Sequence, residues 1–466
     1  MKKILFLVLP SYTDVYKDSK ITVAVPKLPL LSIAMLLRIA KNQNIEFDLL
    51  DLSITPCYQK KLFDKLKNFS PEYIAFGFTT ALYNESKEII KFTKDNFPKI
   101  KILCGGVHPS LFPEDVINEL NIDFVFINEA EQTLVDFFSG KQLKDINGLA
   151  YKTDEKIIIN QHKNYIENLD DLPFPYWEQF DLTKYYYPKI NVRKAPALPI
   201  STSRGCVFNC NFCTKSVHGY KFRKMSALRI LEELEYLKKC GANEFHIWDD
   251  QFTTDLNRAK EVCELLLKKN LKMKWNLFIG VRVNSVDKEF LTLAKKSGLY
   301  QIAFAPESGN TAILNEINKK ITLDDSINAF ALCEKLGIET VAFFVIGFLN
   351  ETLKSIQDTI NFACKLNPDY AKVTIALPLP KTKFYEDLKK QNLIKSFDWS
   401  KYNFHLKHQV WQHPTLSWDE LYNGYKKFYS EYYLRPKYFW KALKRAISNG
   451  TLFFELHGAI KTFILN

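Results

Sequence analysis

The most chemically loaded stretch of this chain is Ser203-Arg204-Gly205-Cys206-Val207-Phe208-Asn209-Cys210-Asn211-Phe212-Cys213, which sets three thiols at spacings of four and three. One loop of that length can wrap a single metal centre. Iron–sulfur clusters are normally held by four thiolates, so three leave one iron open to a non-protein ligand. An open iron can bind the amino and carboxylate groups of a substrate. An electron passed from the cluster into an adjacent sulfonium then breaks a carbon–sulfur bond and leaves a primary carbon radical. Zinc is the competing reading. A structural zinc site takes a fourth Cys or His, and His218 stands five residues beyond Cys213. The plainest alternative is burial of the thiols as small hydrophobes. The other cysteines (Cys57, Cys104, Cys240, Cys263, Cys333, Cys364) are scattered, and nine in so long a chain argue against a disulfide framework.

Such a loop needs a strand to hold it. Strand patterns at 198–203, 244–249, 275–283, 301–307, 339–346 and 370–377 alternate with helical ones such as 226–239, where Ser226 is placed as N-cap. Six strand–helix units across residues 196–395 predict a partial (β/α)6 barrel, in which ligand groups belong at the C-terminal strand ends. The cysteine loop follows the first strand. At other ends stand His246-Ile247-Trp248-Asp249-Asp250-Gln251-Phe252, Arg282, Glu307-Ser308-Gly309 and Val345-Ile346-Gly347-Phe348-Leu349-Asn350-Glu351. Asp249 or Asp250 offers a carboxylate to a substrate ammonium, charge-assisted contacts being the strong ones; the alternative is an acidic group favoured at a helix N-terminus. Glu307 beside Arg282 reads equally as a structural ion pair, and Gly347 as a strand end.

Residues 1–145 have a different rhythm: strands at 3–9, 47–50, 73–78, 101–104 and 124–127, with helices at 30–42, before Pro71 and at 84–96. Short apolar strands alternating with amphipathic helices predict a doubly wound α/β domain with a parallel sheet covered on both faces. Gly105 and Gly106 follow a strand, where glycines let the backbone approach a flat or bulky cofactor. Residues 146–195, broken by Pro173, Pro175 and Pro188, predict a linker. Residues 396–466 are helical and aromatic. Their end interleaves Arg435, Lys437, Lys441, Lys444 and Arg445 with Tyr438, Phe439 and Trp440, which suits either a basic surface helix on a membrane or partner, or a helix docking its aromatic face on the barrel.

The 466 residues, 47% hydrophobic and 25% charged, have the balance of globular proteins, which excludes a disordered chain or a membrane bundle. No run reaches the ~18 apolar residues that span a bilayer. Met1-Lys2-Lys3 and the short apolar run after it read as a first strand rather than a leader, so a cytoplasmic protein is expected. The 64 Lys+Arg against 52 Asp+Glu give +12, which permits anionic partners, but no dense block of like charge stands out. Nucleic acid is not expected as a partner.

The pattern CxxxCxxC, with Phe212 before the last Cys, resembles the signature of the radical S-adenosylmethionine superfamily. That resemblance implies a [4Fe–4S] cluster on Cys206, Cys210 and Cys213, S-adenosylmethionine on the open iron, and its reductive cleavage to a 5′-deoxyadenosyl radical. It implies further that Phe212, Asp249, Asp250, Arg282, Glu307, Ser308, Val345 and Gly347 line the S-adenosylmethionine site. Asp249-Asp250-Gln251-Phe252 departs from the commoner Gly-Gly-Glu form and is similar to the cobalamin-binding branch. Pro378-Leu379-Pro380-Lys381-Thr382 resembles the family's Pro-Gly-Thr turn, with Lys381 for Gly. Pro29-Leu30, Cys104-Gly105-Gly106-Val107-His108-Pro109, Asn128-Glu129-Ala130-Glu131 and Leu169-Asp170-Asp171-Leu172-Pro173-Phe174-Pro175 resemble that branch too, so the likeness runs to about residue 395 and implies cobalamin near Gly105 and Gly106. Two departures stand out. No Asp-x-His-x-x-Gly occurs at Ser11-Tyr12-Thr13-Asp14-Val15, and Asn128 and Ala130 replace both glycines of the usual Gly-Glu-Gly-Glu.

The activity so implied is methylation of an unactivated carbon of a small molecule, such as a lipid or natural-product intermediate, with electrons from flavodoxin or ferredoxin. The alternatives are radical cyclisation or rearrangement with cobalamin donating no methyl, and a non-catalytic iron–sulfur scaffold binding RNA or membrane. A tRNA methylthiotransferase fits less well, because only Cys57 and Cys104 precede the linker.

Overall fold

Apolar side chains on Lys3–Val8 (β1) alternate between faces: Ile4, Phe6 and Val8 enter one core, Leu5 and Leu7 another. In the computed structural model, which describes residues 2–10, 26–55, 57–403 and 408–459, β1 is flanked by parallel partners. These are β2 (Glu46–Asp51), β3 (Tyr73–Gly77), β4 (Lys101–Gly105) and β5 (Phe124–Phe126), in the order β2-β1-β3-β4-β5. The winding reverses between β1 and β3, and a doubly wound sheet opens its ligand crevice at that point on the carboxyl edge. The expected doubly wound domain is thus present. The loop Ser11–Val15 lies outside the described residues.

Two more strands extend the sheet: β6 (Leu149–Lys152) pairs antiparallel with β5, and β7 (Ile157–Ile159) antiparallel with β6. They occupy part of the segment expected as a linker, because Leu149, Ala150 and Tyr151 find burial along the β5 edge. The proline-rich remainder is packed as well, with Leu169, Leu172, Trp177 and Phe180 buried. It joins the helix Leu31–Asn42 to the barrel helix Ala227–Lys239: Arg38 Nε donates to Phe174 O at 2.9 Å and Tyr236 Oη donates to Pro175 O at 2.8 Å.

The second unit starts with β8 (Ala197–Ile200), followed by a small ribbon of β9 (Ser203–Arg204) and β10 (Arg223–Lys224). Then come β11 (Glu244–Ile247), β12 (Lys274–Val281), β13 (Leu299–Glu307), β14 (Glu339–Ile346) and β15 (Tyr370–Ile375). All pair in parallel, in the order β8-β11-β12-β13-β14-β15. The barrel is therefore partial, as expected, with helices such as Ala227–Lys239 on its outside; Ser226 Oγ accepts from Arg229 N at 3.2 Å and caps that helix. An open sheet leaves an edge with unpaired backbone groups. On β15 that edge is covered by the helix Trp418–Tyr433: Ala371 N donates to Tyr433 Oη at 3.0 Å, Tyr433 Oη donates to Ala371 O at 2.7 Å, and Tyr429 Oη does the same for Val373. Among the described residues no helix is long and apolar enough to cross a membrane.

Candidate active site

The cysteine loop hangs from β9 at the barrel mouth, fixed by polar contacts on every side. Gly205 takes φ +81, and a Cβ there would lie 2.2 Å from Lys221 O, so only glycine makes this turn. Asn318 Nδ2 donates to Asn209 O at 2.7 Å, Asn211 N to Ile317 O at 3.0 Å, and Phe384 N to Asn211 O at 2.9 Å. Cys213 N donates to Cys210 O at 3.2 Å. The three thiols lie within electrostatic reach of one another. Burial pushes the Cys213 thiol up to about 11 and raises that of Cys206, so metal loading has to displace their protons. Among the described residues no three His, Cys, Asp or Glu side chains already stand at metal-ligand spacing.

The two adjacent aspartates divide their work. Asp249 is buried and fully engaged: Thr202 Oγ1 and Ser203 Oγ donate to it at 2.6 Å, Thr202 N at 2.5 Å, and Arg258 lies 3.9 Å away. Through these contacts it pins the β8–β9 turn that carries the cysteines. Asp250 accepts from Gly205 N at 2.7 Å and pairs with His218 Nδ1 at 3.0 Å. Burial opposes its ionisation, yet the His218 contact and the Gly205 N–H hold its pKa below the usual range. His218 is thereby oriented by a carboxylate through its Nδ1.

Arg282 does approach the loop. Its guanidinium stacks 3.8 Å from the Phe208 ring centroid, its Nη1 is 4.0 Å from Cys210 Sγ, and its Nη2 donates to Lys320 O at 3.0 Å. Its buried Nε has no hydrogen-bond partner. Glu307 pairs not with Arg282 but with Lys319, at 2.7 Å, and both are buried. Glu307 also holds φ +64, an uncommon conformation for a non-glycine residue and one that clusters at functional sites. Ser308 is buried against Thr359 Oγ1 at 3.1 Å. Phe212 packs on Phe348 with ring centroids 5.5 Å apart, Val345 is partly buried, and Gly347 takes φ +88. Lys319 escaped the sequence reading, since nothing in its neighbourhood separates it from other lysines.

Above the mouth lies a cavity of ≈ 320 Å³ between the two units. The first domain supplies Leu30, Ser32, Gly77, Gly105, Gly106 and Asn128, the barrel Ser201, Arg204, His218, Met225, Glu233 and Trp248. Gly106 holds φ +90, where a Cβ would stand 3.0 Å from Phe78 N and O. Glu129 and Glu131 reach across the domain junction: Glu129 chelates Arg223 at 2.8 and 3.0 Å, and Arg204 Nη2 donates to Glu131 at 2.6 Å.

Residues 200–363 match the Radical SAM superfamily, and residues 20–138 match the B12 binding domain. The uncharacterized methyltransferase PH0819 of Pyrococcus horikoshii is 33% identical over 405 residues, covering 85% of this chain and 83% of that protein. The chain belongs to the radical SAM superfamily. Within it, the chain sits in the branch that carries a B12-binding domain. An anaerobic magnesium-protoporphyrin IX monomethyl ester cyclase of Cereibacter sphaeroides is 28% identical over 420 residues, covering 87% of this chain and 66% of that enzyme. In fold, the chain is similar to the radical S-adenosylmethionine methyltransferase TsrM of Kitasatospora setae, with a TM-score of 0.69 at 15% identity over 84% of this chain and 75% of that one.

The residues present fit the groups this superfamily uses. Three thiols on one loop leave a cluster iron open, and the orphaned Nε of Arg282 offers a buried donor beside it. Gly77, Gly105 and Gly106 form a side-chain-free floor that suits a broad cofactor. The second departure from the family pattern, at Asn128 and Ala130, acquires a physical reading. Asn128 takes φ +63, and Asn is among the few residues that adopt this conformation readily, so it serves where glycine is usual. Ala130 is right-handed at φ −95 and needs no glycine. Lys381, at the Pro-Gly-Thr position, takes φ +59 and sets its ammonium 5.3 Å from the Phe112 ring of the first domain.

Glu233 gives this cavity a titratable wall. Burial pushes its carboxyl up to about 7 despite Arg229 at 2.9 Å. An acid whose folded-state value exceeds its ordinary 4.5 contributes stability below that value and loses it as pH rises through about 7. The thermal midpoint of cofactor-free protein is therefore expected to fall from about pH 5 to about pH 8, and that of Glu233→Gln to fall less. Parallel slopes in scanning fluorimetry would contradict this.

Proposed function

We propose that this protein methylates an unactivated carbon of a small molecule, with a lipid or natural-product intermediate as the substrate class. Bound together, the [4Fe–4S] cluster, S-adenosylmethionine and cobalamin supply a radical that removes a hydrogen atom and a methyl group that replaces it. The chain's own residues bind and orient. Cys206, Cys210 and Cys213 would hold the cluster, Asp250 and Arg282 fix the loop around it, and Gly105 and Gly106 admit the corrin. The observation that carries this reading is the shared cavity, walled on one side by the glycine floor and on the other by the barrel mouth at Ser201, Arg204 and Trp248. Flavodoxin or ferredoxin is the proposed electron donor in the cytoplasm, and the C-terminal helices are proposed to touch a membrane peripherally. PH0819, named as a methyltransferase, supports methyl transfer; the similarity to the anaerobic cyclase favours radical cyclisation as the second reading.

The test uses anaerobically reconstituted protein, dithionite and S-adenosylmethionine, with host-cell extract as the substrate source. Methyl transfer yields S-adenosylhomocysteine together with 5′-deoxyadenosine. Formation of 5′-deoxyadenosine alone would favour cyclisation, and formation of neither would sink both readings.

A further inference from the structure

The helix Pro436–Asn449 is built inside out. The side it turns to the barrel carries polar anchors: Arg445 Nη1 donates to Asp369 O at 2.7 Å, Lys441 Nζ to Asn367 O at 2.6 Å, and Tyr438 Oη to Asp369 O at 3.2 Å. Its outer side is apolar. Phe439, Trp440 and Ile447 are 58%, 67% and 62% exposed, and Leu443 completes the Phe439–Leu443–Ile447 row at intervals of four. The patch continues past both helix ends through Leu434 and Phe453, 67% and 89% exposed. Single exposed apolar residues are ordinary, whereas a contiguous aromatic patch marks an interaction surface. Lys437 and Lys444 border it, exposed.

We propose that this face docks on an anionic lipid bilayer, with Phe439, Trp440 and Ile447 entering the interfacial layer and Lys437 and Lys444 meeting lipid phosphates. A helix with aromatic and aliphatic side chains on one face and lysines at its border lies in the interface plane in this manner. The lysine stems run along the acyl boundary while their ammonium groups stay at headgroup level. The chain's +12 charge draws the whole molecule toward such a surface. Charge also separates the bilayer from a second copy of the chain. The nearby Glu455 is turned inward to Arg445 at 2.6 Å, so a two-fold contact through this patch would offer Lys437 and Lys444 no carboxylate from that helix pair. The proposal deepens the peripheral contact suggested above and does not depend on the chemistry assigned to the barrel.

The test is flotation of the reconstituted holoenzyme with phosphatidylglycerol–phosphatidylcholine vesicles and with phosphatidylcholine vesicles alone. Binding is expected on the anionic vesicles, to weaken with added salt, and to fall at least about tenfold in the Phe439→Ser, Trp440→Ser, Ile447→Ser triple variant. All three side chains face solvent, so the variant should fold; circular dichroism and cluster absorbance check that. As a second measurement, Lys437→Glu, Lys444→Glu should lose the preference for anionic vesicles. No flotation, or equal flotation of wild type and triple variant, would overturn the proposal. So would a dimer in light scattering that the triple variant abolishes without any vesicle binding, since the patch would then belong to a second copy. Flotation reads binding alone, so failure of the proposed methyl transfer leaves this outcome distinguishable.

Discussion

Replacing Cys206, Cys210 and Cys213 together with alanine is expected to remove the cluster absorbance of reconstituted protein and to bring dithionite-driven 5′-deoxyadenosine formation below detection, with the fold retained. The loss should be near-complete because Cys206, Cys210 and Cys213 are all the thiols this loop has, and the lone imidazole of His218 cannot replace three thiolates around a cluster. The fold should survive because the contacts that shape the loop use backbone and amide groups, such as Asn318 Nδ2 to Asn209 O, and the Phe208–Arg282 stack. Iron quantification, visible absorbance and circular dichroism read the two halves of this result separately. A variant that still holds a cluster and cleaves S-adenosylmethionine would place the metal elsewhere; an unfolded one would make the thiols structural.

The sequence was legible where one local pattern decides the structure. Parallel strands buried on both faces leave continuous apolar runs, which is why β1 to β5 and the six barrel strands stand close to their expected places. The cysteine spacing is equally local. What could not be read depends on which groups meet across the fold. Asp249 and Asp250 are chemically identical neighbours at one strand end, and only the placement of Thr202, Ser203 and Arg258 separates a buried pin from a carboxylate facing the loop. Strands β6 and β7 were hidden because the prolines beyond them set the character of the whole segment, although burial along β5 was available to Leu149, Ala150 and Tyr151. Asn128 looks like a departure in letters, but its backbone takes φ +63, a left-handed conformation that asparagine, like glycine, adopts readily. Glu129 and Arg223 are 94 residues apart, so no spacing rule pairs them.

That pair carries the other large expected effect. The side chains of Glu129 and Arg223 are each 2% exposed, and Glu129 also accepts from Ile166 N at 2.9 Å and lies 3.3 Å from Arg204. Burial alone would raise the Glu129 carboxyl, but the Arg223 hydrogen bonds and the Arg204 charge hold it below its ordinary 4.5. Its contribution to stability is thus present above that value and is lost as pH falls through the lower folded-state one. Glu129→Gln leaves Arg223 buried without its countercharge, and removing one partner of such a pair costs about 3–5 kcal/mol. The first thermal transition at neutral pH should drop clearly, and the gap from wild type should close in acid. Because Arg204 immediately precedes the Gly205-Cys206 turn, while Arg223 also donates to His218 O at 2.9 Å, the same change should loosen the cluster loop and lower cobalamin retention together. Glu131→Gln is the comparison: its carboxylate is 12% exposed and, among the described residues, its ion pair is with Arg204, so its effect should be smaller. Equal thermal midpoints for Glu129→Gln and wild type would show that the first domain and the cluster loop are not held together by this carboxylate, and the coupling would then rest on the packed segment around Trp177.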